Sequence, residues 1–134
     1  MRSRIAIGLA VCLIAGAVSM YAHHSQASYD LDKMVTVEGT VTQANWANPH
    51  SLFFLEVRGE NDVTKWTLEG PRPLGLTKVG WSKETLSVGT KITATGNPSR
   101  SGRPMMLLRE IVTPDGTKLP TGVTGNFDPS RRVE

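Results

Sequence analysis

Val35-Thr-Val-Glu-Gly-Thr-Val41, Gln43-Ala-Asn-Trp-Ala-Asn-Pro-His50 and Ser51-Leu-Phe-Phe-Leu-Glu-Val-Arg58 decide the fold. Val35, Val37, Gly39 and Val41 fall on one face, with Thr36, Glu38, Thr40 and Thr42 on the other. That period of two, rich in β-branched residues, predicts a strand. Gly39 in its middle marks a bulge or sharp bend of the kind a small barrel needs. In the third run Phe53, Leu55 and Val57 alternate with Leu52, Phe54, Glu56 and Arg58. Its first half is apolar on both faces, which predicts a central strand. Between the two strands lies a polar loop carrying Trp46 and His50.

Downstream, Gly59–Asp62 has the composition of a hairpin turn. Lys65–Glu69 then alternates Trp66 and Leu68 against polar residues, so the second and third strands pair as a hairpin. Gly70-Pro-Arg-Pro73 breaks the chain. Leu74–Val79 is predicted as a short helix stopped by Gly80 at C′, with Ser82 capping one further turn through Leu86. Lys91–Gly96 is a strand with Ile92 and Ala94 inward, and Met105–Val112 is the last long strand. Between them Asn97–Pro104 is a second polar loop, carrying Arg100 and Arg103. Thr113–Gly116 is a type I turn, and Lys118-Leu119 forms a short return strand. Three strands, a helix and two strands give an all-β class with one short helix. That is the order of a five-stranded OB-fold-like barrel, with an open β-sandwich as the alternative. In the barrel, loops Gln43–His50 and Asn97–Pro104 flank the ligand face.

Upstream, Arg2 and Arg4 precede an apolar or small-residue run from Ile5 to Val18, and Ala22 offers a cleavage point. The run is short for a membrane span, so residues 1–22 read as a secretory signal peptide and the compartment as periplasmic. Cutting after Ala22 leaves 112 of the 134 residues. It also removes two of 15 basic residues, leaving 13 against 12 acidic ones, a formal charge of +1. That balance argues against nucleic acid as a partner. Cys12, the one cysteine, lies inside the leader, and Val11 before it does not suit lipid attachment, so the mature chain carries no disulfide. Residues 23–33 read as an N-terminal arm, 34–119 as the barrel domain and 120–134 as a flexible tail.

The chain has three histidines. If cleavage follows Ala22, the His23 amine and imidazole can chelate one metal ion, and His50 would complete an N₃ set suited to Cu(II). This arrangement resembles the histidine brace of copper proteins. A cut before Ala22 gives Ala-His-His, which resembles the amino-terminal copper/nickel motif through His24. A mobile tail without a specific role is the competing reading. Trp46, Asn48, His50, Arg100 and Arg103 are the candidate ligand contacts: an aromatic platform, turn and ring polar groups, and two guanidiniums for an anion. A tryptophan folded back to cap the core, a histidine bonded to its own loop and solvated arginines are the plainer alternatives. Met105-Met106 offer soft sulfurs but read more simply as core filler. Glu38, Glu56 and Glu69 lie on strands, and no spacing pairs them as acid and base. No nucleophile elbow, phosphate loop or HExxH occurs.

Ala22-His-His-Ser25, Val37-Glu-Gly-Thr-Val41 within its strand, Trp46-Ala-Asn-Pro-His50, Trp66-Thr-Leu-Glu-Gly70 and Gly80-Trp81 together resemble a family of small exported proteins of Gram-negative bacteria. That family is catalogued only as a domain of unknown function. The resemblance spans His23 to about Thr113 and implies an extracytoplasmic β-barrel-like domain without an assigned reaction. The expectation is a non-enzymatic periplasmic module binding a small molecule, a metal ion or a periplasmic protein. The alternatives are a copper carrier or redox protein, and a small hydrolase or lyase using the strand carboxylates.

Overall fold

The structure is a computed structural model, and it describes residues 26–123. Six strands and one helix follow in order: β1 Val35–Asn45, β2 Ser51–Arg58, β3 Val63–Gly70, α1 Pro73–Lys78, β4 Lys91–Pro98, β5 Met105–Val112 and β6 Lys118–Pro120. The sheet order is β3-β2-β1-β4-β5-β6, and β3 also pairs with β5. That last pairing is parallel, Thr67 to Glu69 against Met105 to Leu107, and it closes five strands into a barrel. The predicted OB-like barrel is the observed fold. β6 extends the sheet along the free half of the same β5 edge, at Glu110–Val112.

β1 belongs to both halves of the barrel. Val35–Thr40 pairs with β4, and Thr40–Asn45 with β2. The register shifts between Val41 and Gln43, so Thr42 is the extra residue of a bulge. The bulge does not sit at Gly39. Gly39 instead lets two backbones meet, because a Cβ there would lie 2.6 Å from the Glu56 carbonyl oxygen. A bulge inverts the facing of every later residue in its strand. Val41 points inward, and Ala44 and Trp46 then pack on the core where strict alternation would have placed Gln43 and Asn45.

The same device shapes β5. Thr95 pairs with Glu110 but Gly96 with Leu108, leaving Arg109 as the bulged residue. Met106, Leu108 and Ile111 therefore all reach the core, with two residues between the last pair instead of one. Arg109 is turned inward as well, at 6% exposure. Its Nε donates to Asn97 Oδ1 at 2.6 Å and its Nη1 to the Val123 carbonyl at 3.0 Å. Burial alone lowers its pKa from the ordinary arginine range. Among the described residues no carboxylate pairs with it, so neutral oxygens carry the charge.

The helix starts with Pro73 at N1, where a missing N–H costs nothing. It ends in a Schellman motif: Gly80, at φ +94°, donates to the Thr77 carbonyl, and Trp81 to that of Leu76. Leu76 and Trp81 are buried together in the core. Ser82–Leu86 forms a turn instead of a second helix, with Thr85 N–H donating to the Ser82 carbonyl. Pro120–Val123, placed in the tail by composition, is bonded to the barrel. Thr121 is buried, with its hydroxyl on the Leu108 carbonyl and its N–H on that of Arg109. Trp81 Nε1 donates to the Pro120 carbonyl at 2.9 Å.

Gly96 is the tightest point of the barrel, since a Cβ there would lie 2.3 Å from the Leu107 carbonyl oxygen and 2.9 Å from Met106 Sδ. Gly96→Ala is expected to lower stability by on the order of 3 kcal/mol. Gly75→Ala, in α1, meets nothing nearer than Pro71 Cβ at 3.4 Å and is expected to raise stability by up to about 1 kcal/mol. Urea unfolding midpoints at constant slope measure both.

Candidate functional site

Glu69 lies near the end of β3 on the outward face, and its side chain is only 13% exposed. Both of its oxygens are engaged. Oε2 accepts the Tyr29 hydroxyl at 2.6 Å, and Oε1 lies 3.1 Å from His50 Nδ1. The hairpin between β2 and β3 sets up the second contact. Leu52 pairs with Glu69 and Ser51 with Gly70, so His50 lies diagonally across from Glu69 on the same face. The contact is an ion pair when the ring carries both of its protons. The His50 side chain is 39% exposed.

The first contact comes from the arm. Ser28–Lys33 lies against the loop after β4: Arg100 N–H donates to the Ser28 carbonyl, and Asp30 N–H to that of Pro98, both at 2.9 Å. Tyr29 forms a single bridge with Ser99. Asn97 Nδ2 donates to the carbonyls of Leu31 and Lys33 at 3.3 and 2.7 Å. Tyr29 is 1% exposed. Its burial, then the Glu69 hydrogen bond and charge, hold the phenol protonated far above its ordinary range, against an opposing effect of Arg103. Asp30 is half-buried, and its pKa is lowered chiefly by Lys33, 3.2 Å away.

The structure therefore joins the two polar loops through the arm. Arg100 and Arg103 are both exposed on the second loop, with Arg103 Nε on Ser101 Oγ at 3.2 Å. Asn48 is exposed beside a cis Asn48–Pro49 peptide. Trp46 is half-buried and meets Phe53 edge to face, with ring centroids 5.7 Å apart. Its Nε1 is buried without a partner among the described residues, so the ring caps the core. Met106 is a core residue and Met105 is half-buried. His23 and His24 lie outside the described residues. Among those described, no three His, Cys, Asp or Glu side chains gather as a metal set. Glu38 and Glu56 line another surface groove with Gly39, Thr40, Arg58 and Lys91, away from Glu69. Sequence reasoning placed Tyr29 only within the N-terminal arm and named Glu69 only among the strand carboxylates. The equal-length pairing of β2 and β3 was the signal for His50–Glu69, whereas no local rule links Tyr29 to Glu69, 40 residues on.

The chain belongs to DUF6152, a family of unknown function. The family's sequence model matches residues 10–108, a span that holds Tyr29, His50, Glu69, Arg100 and Arg103 of this DUF6152 chain, as well as His23 and His24. No curated protein and no solved structure matches it. None of its described helices is long and apolar enough to cross a membrane.

Tyr29 makes stability depend on pH in a stated direction. Its folded pKa is raised above the ordinary 10.0, so above pH 10 the unfolded chain releases a proton that the folded chain keeps. Stability is expected to fall as pH rises through that point. Tyr29→Phe is expected to flatten the fall while lowering stability by about 1 kcal/mol at neutral pH. Thermal melts from pH 8 to 11 on both proteins measure the difference in slope.

Proposed function

We propose that this protein is a non-enzymatic, periplasmic binding module whose ligand-contacting surface is the rim at His50 and Arg103, supported from beneath by Glu69 and Tyr29. The observation that carries this reading is the shared Glu69 carboxylate. One of its oxygens lies 3.1 Å from Nδ1 of a partly exposed imidazole, and the other holds the N-terminal arm beside that ring through the Tyr29 hydroxyl. A fixed, outward imidazole next to a guanidinium-bearing loop suits ligand contact. Catalysis by the strand carboxylates has less support, because Glu69 has both oxygens engaged and Glu38 and Glu56 line a different groove. Export rests on the leader, with its basic start and apolar run, and N-terminal sequencing of the secreted chain at Ala22 or His23 is the expected result.

Amide chemical shifts of the mature protein, recorded against zinc, nickel, phosphate, acetate and glucose in turn, test the location. At least one of these is expected to shift resonances centred on His50, Glu69 and Arg103, and His50→Ala is expected to abolish the response. Shifts centred on Glu38, Glu56 and Lys91 would overturn this reading.

A further inference from the structure

Thr40 is paired on both sides, with Glu56 of β2 and Lys91 of β4. Directly paired residues stand on one face of a sheet, so Lys91, Thr40 and Glu56 form a row across three strands. The backbones that carry the ammonium and the carboxylate are two strand spacings apart, about 10 Å. The β1–β2 ladder ends at this row. Beyond it Glu38 pairs with Thr93 of β4, and Arg58 with Val63 of β3. The two strands part there, and a groove of about 400 Å³ opens, lined by Glu38, Gly39, Thr40, Glu56, Arg58 and Lys91. Gly39 adds only backbone to it. Glu38, Arg58 and Lys91 are exposed, and Glu56 is half-buried. The ion pairs among the described residues are Asp30–Lys33 and His50–Glu69, so the two carboxylates and two cations of the groove are not paired with one another.

Exposed charges on an open strand face are met by water and contribute little by pairing. These four surround a recess whose volume falls within the range of small-molecule sites, and they bring both signs to it. A ligand of one charge is attracted by one pair and repelled by the other. A ligand with both an ammonium and a carboxylate satisfies the two signs at once. We propose that this groove is a second binding surface and takes a small zwitterion of amino-acid or dipeptide size, with its carboxylate toward Lys91 and its ammonium toward Glu56. Thr40, between them in the row, offers a hydroxyl that can donate or accept. Arg58 and Glu38 flank the row. The groove therefore has two charges of each sign, and its zero net charge complements a ligand that has none. Six residues separate Glu56 from His50, about 20 Å of extended chain. The groove is thus distinct from the rim and goes beyond the reading given to that surface.

Amide chemical shifts of the mature protein, titrated separately with glycine, glycylglycine, methylamine and acetate, test this. At least one of the two zwitterions is expected to shift resonances centred on Thr40, Glu56 and Lys91, and the pair distinguishes a free amino acid from a peptide. Methylamine and acetate are each expected to bind there more weakly by about tenfold. Glu56→Gln and Lys91→Gln are each expected to weaken zwitterion binding by a similar factor of about ten. Combining Glu56→Lys with Lys91→Glu is expected to recover binding, because the ligand can lie end for end between the same two positions. Circular dichroism confirms that each variant is folded. His50→Ala is expected to leave the zwitterion response unchanged, so the groove and the rim stand or fall separately. Absence of a response at Thr40, Glu56 and Lys91 to either zwitterion would overturn the proposal. Equal binding of methylamine or acetate would overturn it too, leaving only solvated surface charge, as would a folded charge-exchanged protein that fails to bind.

Discussion

One buried amide holds the parts of this molecule together. Asn97 is 1% exposed, and its carbonyl oxygen takes the Arg109 guanidinium while its nitrogen bonds the arm at Leu31 and Lys33. A buried cation carries a large desolvation cost unless its donors are met. The bulge in β5 turns Arg109 inward, Asn97 and the Val123 carbonyl receive it, and the amide's remaining donors fix the chain before β1. Both ends of the described chain are thus held by one polar pair. The arm's path along the second loop, and with it the position of Tyr29, follows from that pair.

At the other end of the arm, Glu69 converts position into chemistry. A carboxylate with a free oxygen can act as a base or attract a cation directly. Here one oxygen accepts the Tyr29 hydroxyl and the other lies 3.1 Å from the His50 ring, so both face side chains of the rim. The rim is therefore better described as a support for His50 than as a cluster of reactive groups. Burial of the Tyr29 ring gives the hydrogen bond its strength, because a bond shielded from water is not exchanged for one to solvent.

The alternation of Val35–Val41 and of Phe53–Val57, the turn at Gly59–Asp62 and the Gly80 stop were enough to read the strand order and the barrel from sequence. The two bulges were not legible. Nothing in Val41-Thr-Gln43 or Leu108-Arg-Glu110 marks an extra residue, and each inverts a strand's later facing. The first inversion brings Trp46 onto the core, and the second bulge leaves Arg109 buried against Asn97 and the Val123 carbonyl. His50 was legible as a candidate and its neighbour Glu69 could have been counted across the hairpin. Tyr29 was beyond reach, since its contact joins the arm to β3 with no intervening pairing to set a register. The packing of Thr121 was hidden by composition: it continues the β5–β6 ladder one residue past Pro120, in a stretch that reads as a tail.

The division of β1 between two partners has a kinetic consequence. Its C-terminal half meets β2 a few residues on, but Val35 pairs with Gly96, so its N-terminal half waits for β4 to be in place. Closing such a loop is an entropic cost met before any of its contacts form, and topologies of this kind fold in milliseconds to seconds rather than microseconds. The β2–β3 hairpin can bring His50 and Glu69 together early. Tyr29 joins them only after β1, β4 and the loop to β5 have assembled. The rim is complete only in the finished barrel, so a partly folded chain can carry the imidazole but not its full support.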